Sequence, residues 1–229
     1  MVKDNTIQFT IDFNKDVSEV DLVEIEIRKD GCYQKKVISY DTLAKVLIGS
    51  SIDRHVFNAS VPNNSYSIYE TNGGYGCIFL VKGKKRPLLF ERANERLTYI
   101  VPYPNLLLDA RASEGGRVFC RIFAVKDEIL TGDTVLYQFP YSNVSDSGHV
   151  CFGTNEIIFS EPKKLKADCE RMVDIFFSSP YNGDYYAGKY TSWLEPDMRK
   201  LFEKLSSREQ FPNEILISKG TTVKDLLNV

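Results

Sequence analysis

Histidine is scarce in this chain. His55 and His149 are the two present in 229 residues. A mechanism that needs an imidazole base therefore has two candidates, and neither lies in a recognised protease context. There are five cysteines, Cys32, Cys77, Cys120, Cys151 and Cys169. Their odd number and wide spacing argue against a disulfide framework, and no Cys-x-x-Cys pair suggests zinc. Free thiols fit a reducing compartment. Charge of one sign is also missing: 29 basic against 31 acidic residues leaves a net charge of −2. Such a chain has no bulk pull toward nucleic acid or anionic lipid. No hydrophobic run approaches the length of a membrane span, and the opening MVKDNTIQFTIDF lacks the apolar centre of a signal peptide. The expectation is a cytoplasmic protein without membrane or nucleic-acid partners. No internal repeat, low-complexity tract or clean linker interrupts it.

What is present is an ordinary globular balance, 43% hydrophobic and 26% charged, over a length that suits one large domain or a domain with an extension. Ile7, Phe9, Ile11 and Phe13 alternate with polar residues as in a half-buried strand. Strands follow at Leu22 to Ile27 and Cys32 to Ser39, with Asp30-Gly31 as a hairpin turn. Residues 41–48 read as a short helix capped by Asp41 and stopped by Gly49. From about residue 54 a long antiparallel meander is expected. It runs through Tyr66 to Glu70, Gly76 to Val81, Pro87 to Glu91, Thr98 to Asp109 and Val118 to Val125. Asn72-Gly73-Gly74-Tyr75-Gly76 is a hairpin signal; it lacks the Lys-Ser/Thr that a phosphate loop needs. Residues 126–162 are rich in turn formers and read as an exposed loop. Lys163 to Ser178 carries an apolar stripe at helical spacing: Leu165, Cys169, Met172, Val173, Phe176 and Phe177. A last helix is expected over Glu195 to Leu205 with Pro196 in its first turn, and Ile215 to Leu227 as a short strand and helical turn. Strands and helices are segregated, so the class is α+β.

The candidate chemistry lies in the run NVSDSGHVCFG, Asn143 to Gly153. Cys151 could attack a carbonyl carbon as thiolate, and the Asn143 carboxamide could donate to the oxygen that turns negative. The competing reading of Asn143 is a turn residue bonding its own backbone. Gly148 suggests a backbone shape no side chain permits. His149, two residues before Cys151, could favour the thiolate as a nearby cation, or be a surface histidine. Asp146 could orient an incoming amine, or be a solvated loop carboxylate. Tyr141, Tyr181, Tyr185, Tyr186 and Tyr190 could cradle an acyl tail or simply pack a loop. Cys32, Cys77, Cys120 and Cys169 sit in strand or helix patterns and read as core.

This order of elements, and the loop motif, resemble the ubiquitin-conjugating-enzyme (UBC) superfamily. There a helix precedes a four-stranded meander, and an irregular flap carries His-Pro-Asn with the thioester cysteine eight residues after the Asn. Asn143, Gly148 and Cys151 match, with Val150 before the cysteine; Tyr141 and Ser142 stand where that family has His-Pro. A closer resemblance is to its prokaryotic family D, of the type of PRTRC system protein B. It rests on Arg86-Pro87, Pro102-Tyr103-Pro104, Asp133-Thr134-Val135-Leu136-Tyr137 and Phe176-Phe177-Ser178-Ser179 around the flap. Together these span roughly residues 66 to 179, about half the chain. The resemblance implies a UBC-like domain over 41–229; residues 1–40 lie outside its support and are read from their alternation as an N-terminal β extension packed on the core. It implies a bacterial conjugating enzyme without cofactor or metal. Cys151 would accept a ubiquitin-like modifier from an adenylating activating enzyme, and a JAB-type peptidase would belong to the same system. The final Leu-Leu-Asn-Val has no Gly-Gly, so the chain does not read as the modifier. Two other readings stay open: an inert UBC-like binding module, and a cysteine hydrolase using His55 or His149.

Overall fold

A computed structural model describes residues 6–10, 22–29, 32–39, 60–71, 74–186 and 188–227. The helix expected at 41–48, the Asp30-Gly31 turn, the Asn72-Gly73 turn and His55 lie outside the described residues. The chain divides into two compact units, Met1–Phe57 and Asn58–Val229. In the first, β1 (Thr6–Thr10), β2 (Leu22–Lys29) and β3 (Cys32–Ser39) form an antiparallel sheet in that order.

The second unit is a mixed α and β structure on an antiparallel sheet. Its strands are β4 (Ser65–Thr71), β5 (Gly74–Val81), β6 (Lys85–Arg92), β7 (Glu95–Pro102) and β8 (Asn105–Ala112). They are followed by β9 (Val118–Val125), β10 (Val135–Tyr137) and β11 (Ser218–Thr222). Six of them make one sheet in the order β11-β10-β9-β8-β5-β4, and β6 and β7 form a hairpin apart from it. The long antiparallel meander expected from the sequence is interrupted once: β8 pairs with β5, and the intervening hairpin leaves the sheet. The feet of that hairpin are tied together. The Tyr103 N–H donates to the Lys84 carbonyl at 3.1 Å, and the Gly83 N–H to Asn105 Oδ1 at 2.7 Å. Any Cβ on Gly83 would collide with the Tyr103 carbonyl. Pro102 and Pro104 flank this crossing, where a missing N–H does no harm, and split the expected Thr98–Asp109 segment into β7 and β8.

Residues alternate across the six-stranded sheet, and each face buries a cluster. One face carries Phe79, Leu106, Leu108 and Ile122. It shares one buried core with α1 (Leu165–Ser178), through Leu165, Cys169, Met172 and Phe176, and with α2 (Met198–Ser206), which brings Leu201, Phe202 and Leu205 and packs on β7. The helix begins at Met198 rather than Glu195. The Asp197 carboxylate caps it by accepting the Arg199 N–H at 3.0 Å, which leaves Pro196 outside. The opposite face carries Ile78, Leu80, Leu107, Phe123 and Val125 against Val223 and Leu226 of α3 (Val223–Leu227). Among the described residues no helix is long and apolar enough to cross a membrane.

One buried acid joins this second face. Asp109, 1% exposed, accepts the Tyr69 hydroxyl, Arg111 Nε at 3.2 Å, and Arg121 Nε and Nη2 at 3.0 and 2.7 Å. Arg111 Nη2 also donates to the Leu226 carbonyl at 3.3 Å, which links α3 to the sheet. Removing the carboxylate strands two guanidinium groups near the core. Asp109→Ala is expected to cost about 3 kcal/mol in urea unfolding.

Candidate active site

The spacing of eight residues between Asn143 and Cys151 has a structural cause: the two face each other across a small antiparallel hairpin. The Cys151 N–H donates to the Asn143 carbonyl at 2.8 Å, Val144 bridges Val150, and the Ser145 N–H donates to the His149 carbonyl at 2.9 Å. The turn closes with the Gly148 N–H on the Ser145 carbonyl at 2.9 Å. Cross-strand neighbours stand side by side, so the register brings the two side chains together. The second arm of the hairpin is laid along β9. The Ile122 N–H donates to the Gly148 carbonyl at 2.8 Å and the Val150 N–H to the Cys120 carbonyl at 3.0 Å. After Cys151 the chain swings out and returns to the start of the same strand, with the Val118 N–H on the Ile157 carbonyl at 3.1 Å. The cysteine thus sits on a short excursion pinned at both ends.

The segment is less exposed than its turn-rich composition suggests. Tyr141, Ser142, Asn143 and Val144 are buried, as is Gly148, while Cys151 is exposed. Tyr141 requires a correction: it is wholly buried, its hydroxyl donates to the Pro102 carbonyl at 2.6 Å, and it packs edge-on against Tyr103 and Phe139. It is a core residue and cannot cradle a tail. Tyr181 is equally buried. Burial pushes both phenols up, away from any acid–base role.

Asn143 adopts a left-handed backbone, φ +66°, which asparagine tolerates better than most residues. Its Nδ2 donates to the Pro180 carbonyl at 2.9 Å, and its Oδ1 accepts from Ser142 Oγ at 3.3 Å. Pro180 is itself held in place. The Tyr181 N–H donates to the Leu89 carbonyl at 2.7 Å, and the Glu91 N–H to the Tyr181 carbonyl at 2.8 Å, zipping the segment to β6. Asn143 and Cys151 line one open cleft of about 240 Å³. Its far wall comes from Ser179, Pro180, Asn182, Asp184 and Tyr185. Apart from Tyr185, none of these residues stands out in the sequence, where the Gly/Tyr/Asn-rich composition of residues 180–190 is the signal that points to them.

His149 and Asp146 do not line the cleft. His149 Nδ1 lies 2.9 Å from Ser147 Oγ, and its backbone bridges Arg121. Asp146 clamps the hairpin tip. Its carbonyl accepts Lys219 Nζ at 2.5 Å, and its carboxylate lies 3.7 Å from Lys189 Nζ. A hydrogen bond from the Tyr190 phenol, opposed by burial and aided by the charges of Lys189 and Lys219, holds that carboxyl below the usual range. Because the folded value lies below the unfolded one, the clamp acts above the unfolded pKa and is lost as pH falls through the folded one. Tyr190→Phe is expected to move the Asp146 titration upward toward an ordinary aspartate, read by carboxyl-carbon NMR.

The other described thiols belong to the core. Cys77 and Cys120 are register partners of Ala110 on either side, and Cys169 of α1 is buried in the same cluster. A hydrogen bond to Cys77, together with burial, pushes the Cys169 thiol up, and burial does the same for Cys120. Among the described residues no group of His, Cys, Asp and Glu is arranged to hold a metal ion.

The sequence matches the family described as Prokaryotic E2 family D over residues 49–218, well over half of the chain. The chain belongs to that family, and with it to the prokaryotic proteins built like ubiquitin-conjugating enzymes. No curated protein and no solved structure matches it.

Gly148 carries the hairpin turn. Its φ is +88°, and a Cβ there would come to 2.5 Å from the Phe123 ring. Gly148→Ala is expected to cost about 2–3 kcal/mol in chemical unfolding. Part of that cost should be relieved when Phe123→Leu is combined with it.

Proposed function

We propose that Cys151 accepts the carboxyl end of a ubiquitin-like modifier as a thioester from an adenylating activating enzyme and passes it to an amine. The observation that carries this reading is one exposed sulfur on a pinned excursion, sharing a cleft with the Asn143 carboxamide. In the first step the Cys151 sulfur forms a bond to the acyl carbon as the bond to the activating enzyme's thiol breaks. In the second an amine displaces Cys151. One Asn143 N–H is spent on Pro180; the other is free in number to meet the oxyanion. A single such donor is worth roughly 3 kcal/mol. On this reading the fold is UBC-like over residues 41–229, Asn143 to Cys151 is the flap, and residues 1–40 are a β extension. The work is done in the bacterial cytoplasm, with a JAB-type peptidase in the same system. His149 and Asp146 support the hairpin rather than the chemistry, and Gly148 shapes its turn.

A second reading, an inert module that holds a modifier, has its own observation: Tyr141 and Ser142 replace His-Pro, and Asn143 braces Pro180. The two separate in one experiment. With modifier, activating enzyme and ATP, the conjugating reading expects a thiol-reducible adduct that is lost in Cys151→Ala. Asn143→Ala should load but release to amine about 10²-fold more slowly. Modifier binding with no adduct on any thiol would establish the inert module instead.

A further inference from the structure

Tyr185 is the residue of the cleft that folding does not explain. Its backbone is left-handed, φ +62°, a conformation that is an outlier for a bulky side chain. Its side chain is 52% exposed. Among the described residues its ring stacks on no other aromatic and its hydroxyl makes no hydrogen bond. Its neighbours behave in the opposite way. Tyr181 is buried and zipped to β6, and Tyr186 donates its hydroxyl to the Glu195 carbonyl at 2.7 Å and packs on Tyr190. Between these two anchors the turn is built tightly: the Asp184 N–H donates to Asn182 Oδ1 at 2.7 Å, and Asn182 Nδ2 donates to Asp184 Oδ2 at 2.8 Å. The turn therefore holds Tyr185 in the wall of the Cys151 cleft, half exposed, at a cost in backbone strain that no ring stack or hydroxyl hydrogen bond among the described residues offsets. Strain kept where no such specific contact is gained points to function.

The cleft also limits what Tyr185 can meet. About 240 Å³ falls below the roughly 300–1,000 Å³ of sites that bury small molecules. Its walls offer amide and hydroxyl groups, and Asp184 is its one charged side chain among the described residues. Those walls suit a slender polypeptide end, whose backbone groups can be hydrogen-bonded and whose flat peptide units can lie under an aromatic ring.

We propose that Tyr185 is a specificity-determining residue whose ring covers the last residues of the acyl chain carried on Cys151 and favours chain ends without bulk there. This rests on the reading of Cys151 as the acyl acceptor. Its consequence is a preference set at the residue before the acyl-bearing one, where a side chain would strike the ring.

The test uses two acetylated tetrapeptides, ending in Gly-Gly or in Val-Gly, each supplied as the thioester of mercaptoethanesulfonate to the full chain. Acylation is balanced without a further reagent. The Cys151 sulfur–carbon bond forms, the probe's carbon–sulfur bond breaks, and mercaptoethanesulfonate leaves with the thiol proton. Intact-mass kinetics with peptide mapping give the rate at Cys151. The wild type is expected to take Gly-Gly about tenfold faster than Val-Gly, in the range that a small difference in side-chain size commands. Tyr185→Ala and Tyr185→Gly should bring the ratio close to one, and Tyr185→Phe should keep it. Tyr185→Gly should also melt no lower than wild type, because glycine relieves the left-handed backbone. Equal rates for the two probes in the wild type overturn the proposal, as does an unchanged ratio in Tyr185→Ala or a lower melting point for Tyr185→Gly; all three leave the acceptor role of Cys151 intact. Acyl groups found on other residues and never on Cys151 remove that role, and the proposal with it.

Discussion

The hydrogen bond from the Cys151 N–H to the Asn143 carbonyl, 2.8 Å long, is the constraint from which the site follows. It fixes register, and in an antiparallel pair register decides which side chains are neighbours. A one-residue slip would replace the asparagine opposite the thiol with Val144 or Ser142. The slip is resisted from two directions. Gly148 permits one turn geometry and carries its own contact with Phe123, and β9 takes both the Gly148 carbonyl and the Val150 N–H.

The opposite wall of the cleft is fixed by a different part of the sheet. The hairpin β6–β7 leaves the main sheet, and the free edge of β6 takes up Tyr181 in parallel fashion. Pro180 is positioned by that pairing, and Asn143 reaches across to it. The carboxamide therefore ties two elements that are set independently, one by β9 and one by β6. Family membership accounts for the general architecture, whereas this cross-tie is a local property of the residues described.

Much of this was legible in the sequence. Alternation placed the strands, and the stripe from Leu165 to Phe176 placed α1, because burial imposes those periods on the chain. The Asn143–Cys151 spacing was legible as a motif, though its meaning as a hairpin register was not, since Ser145-Asp146-Ser147 reads equally well as plain loop. What escaped was non-local. Nothing in Lys85–Pro102 announces that this hairpin leaves the sheet; the decision rests on the tie between Lys84 and Tyr103 at its feet. Tyr141 misled for a related reason. Its position beside the motif suggested exposure, but a ring whose hydroxyl can reach the Pro102 carbonyl is well placed in a core. Asp197 won the helix start over Pro196 because a cap satisfies a backbone donor and proline does not.

The burial of Cys77, Cys120 and Cys169 in one core has a consequence for the exposed thiol. Peroxide chemistry follows access and thiolate character, so among the described cysteines its burden falls on Cys151. The first product, a sulfenic acid, can be recovered by reaction with a second thiol, whereas the higher acids cannot. Cys77, Cys120 and Cys169 are walled into the sheet and α1 and cannot serve as that second thiol without unfolding. Among the described cysteines none is placed to recover the exposed sulfur, so its repair draws on a thiol from outside these residues.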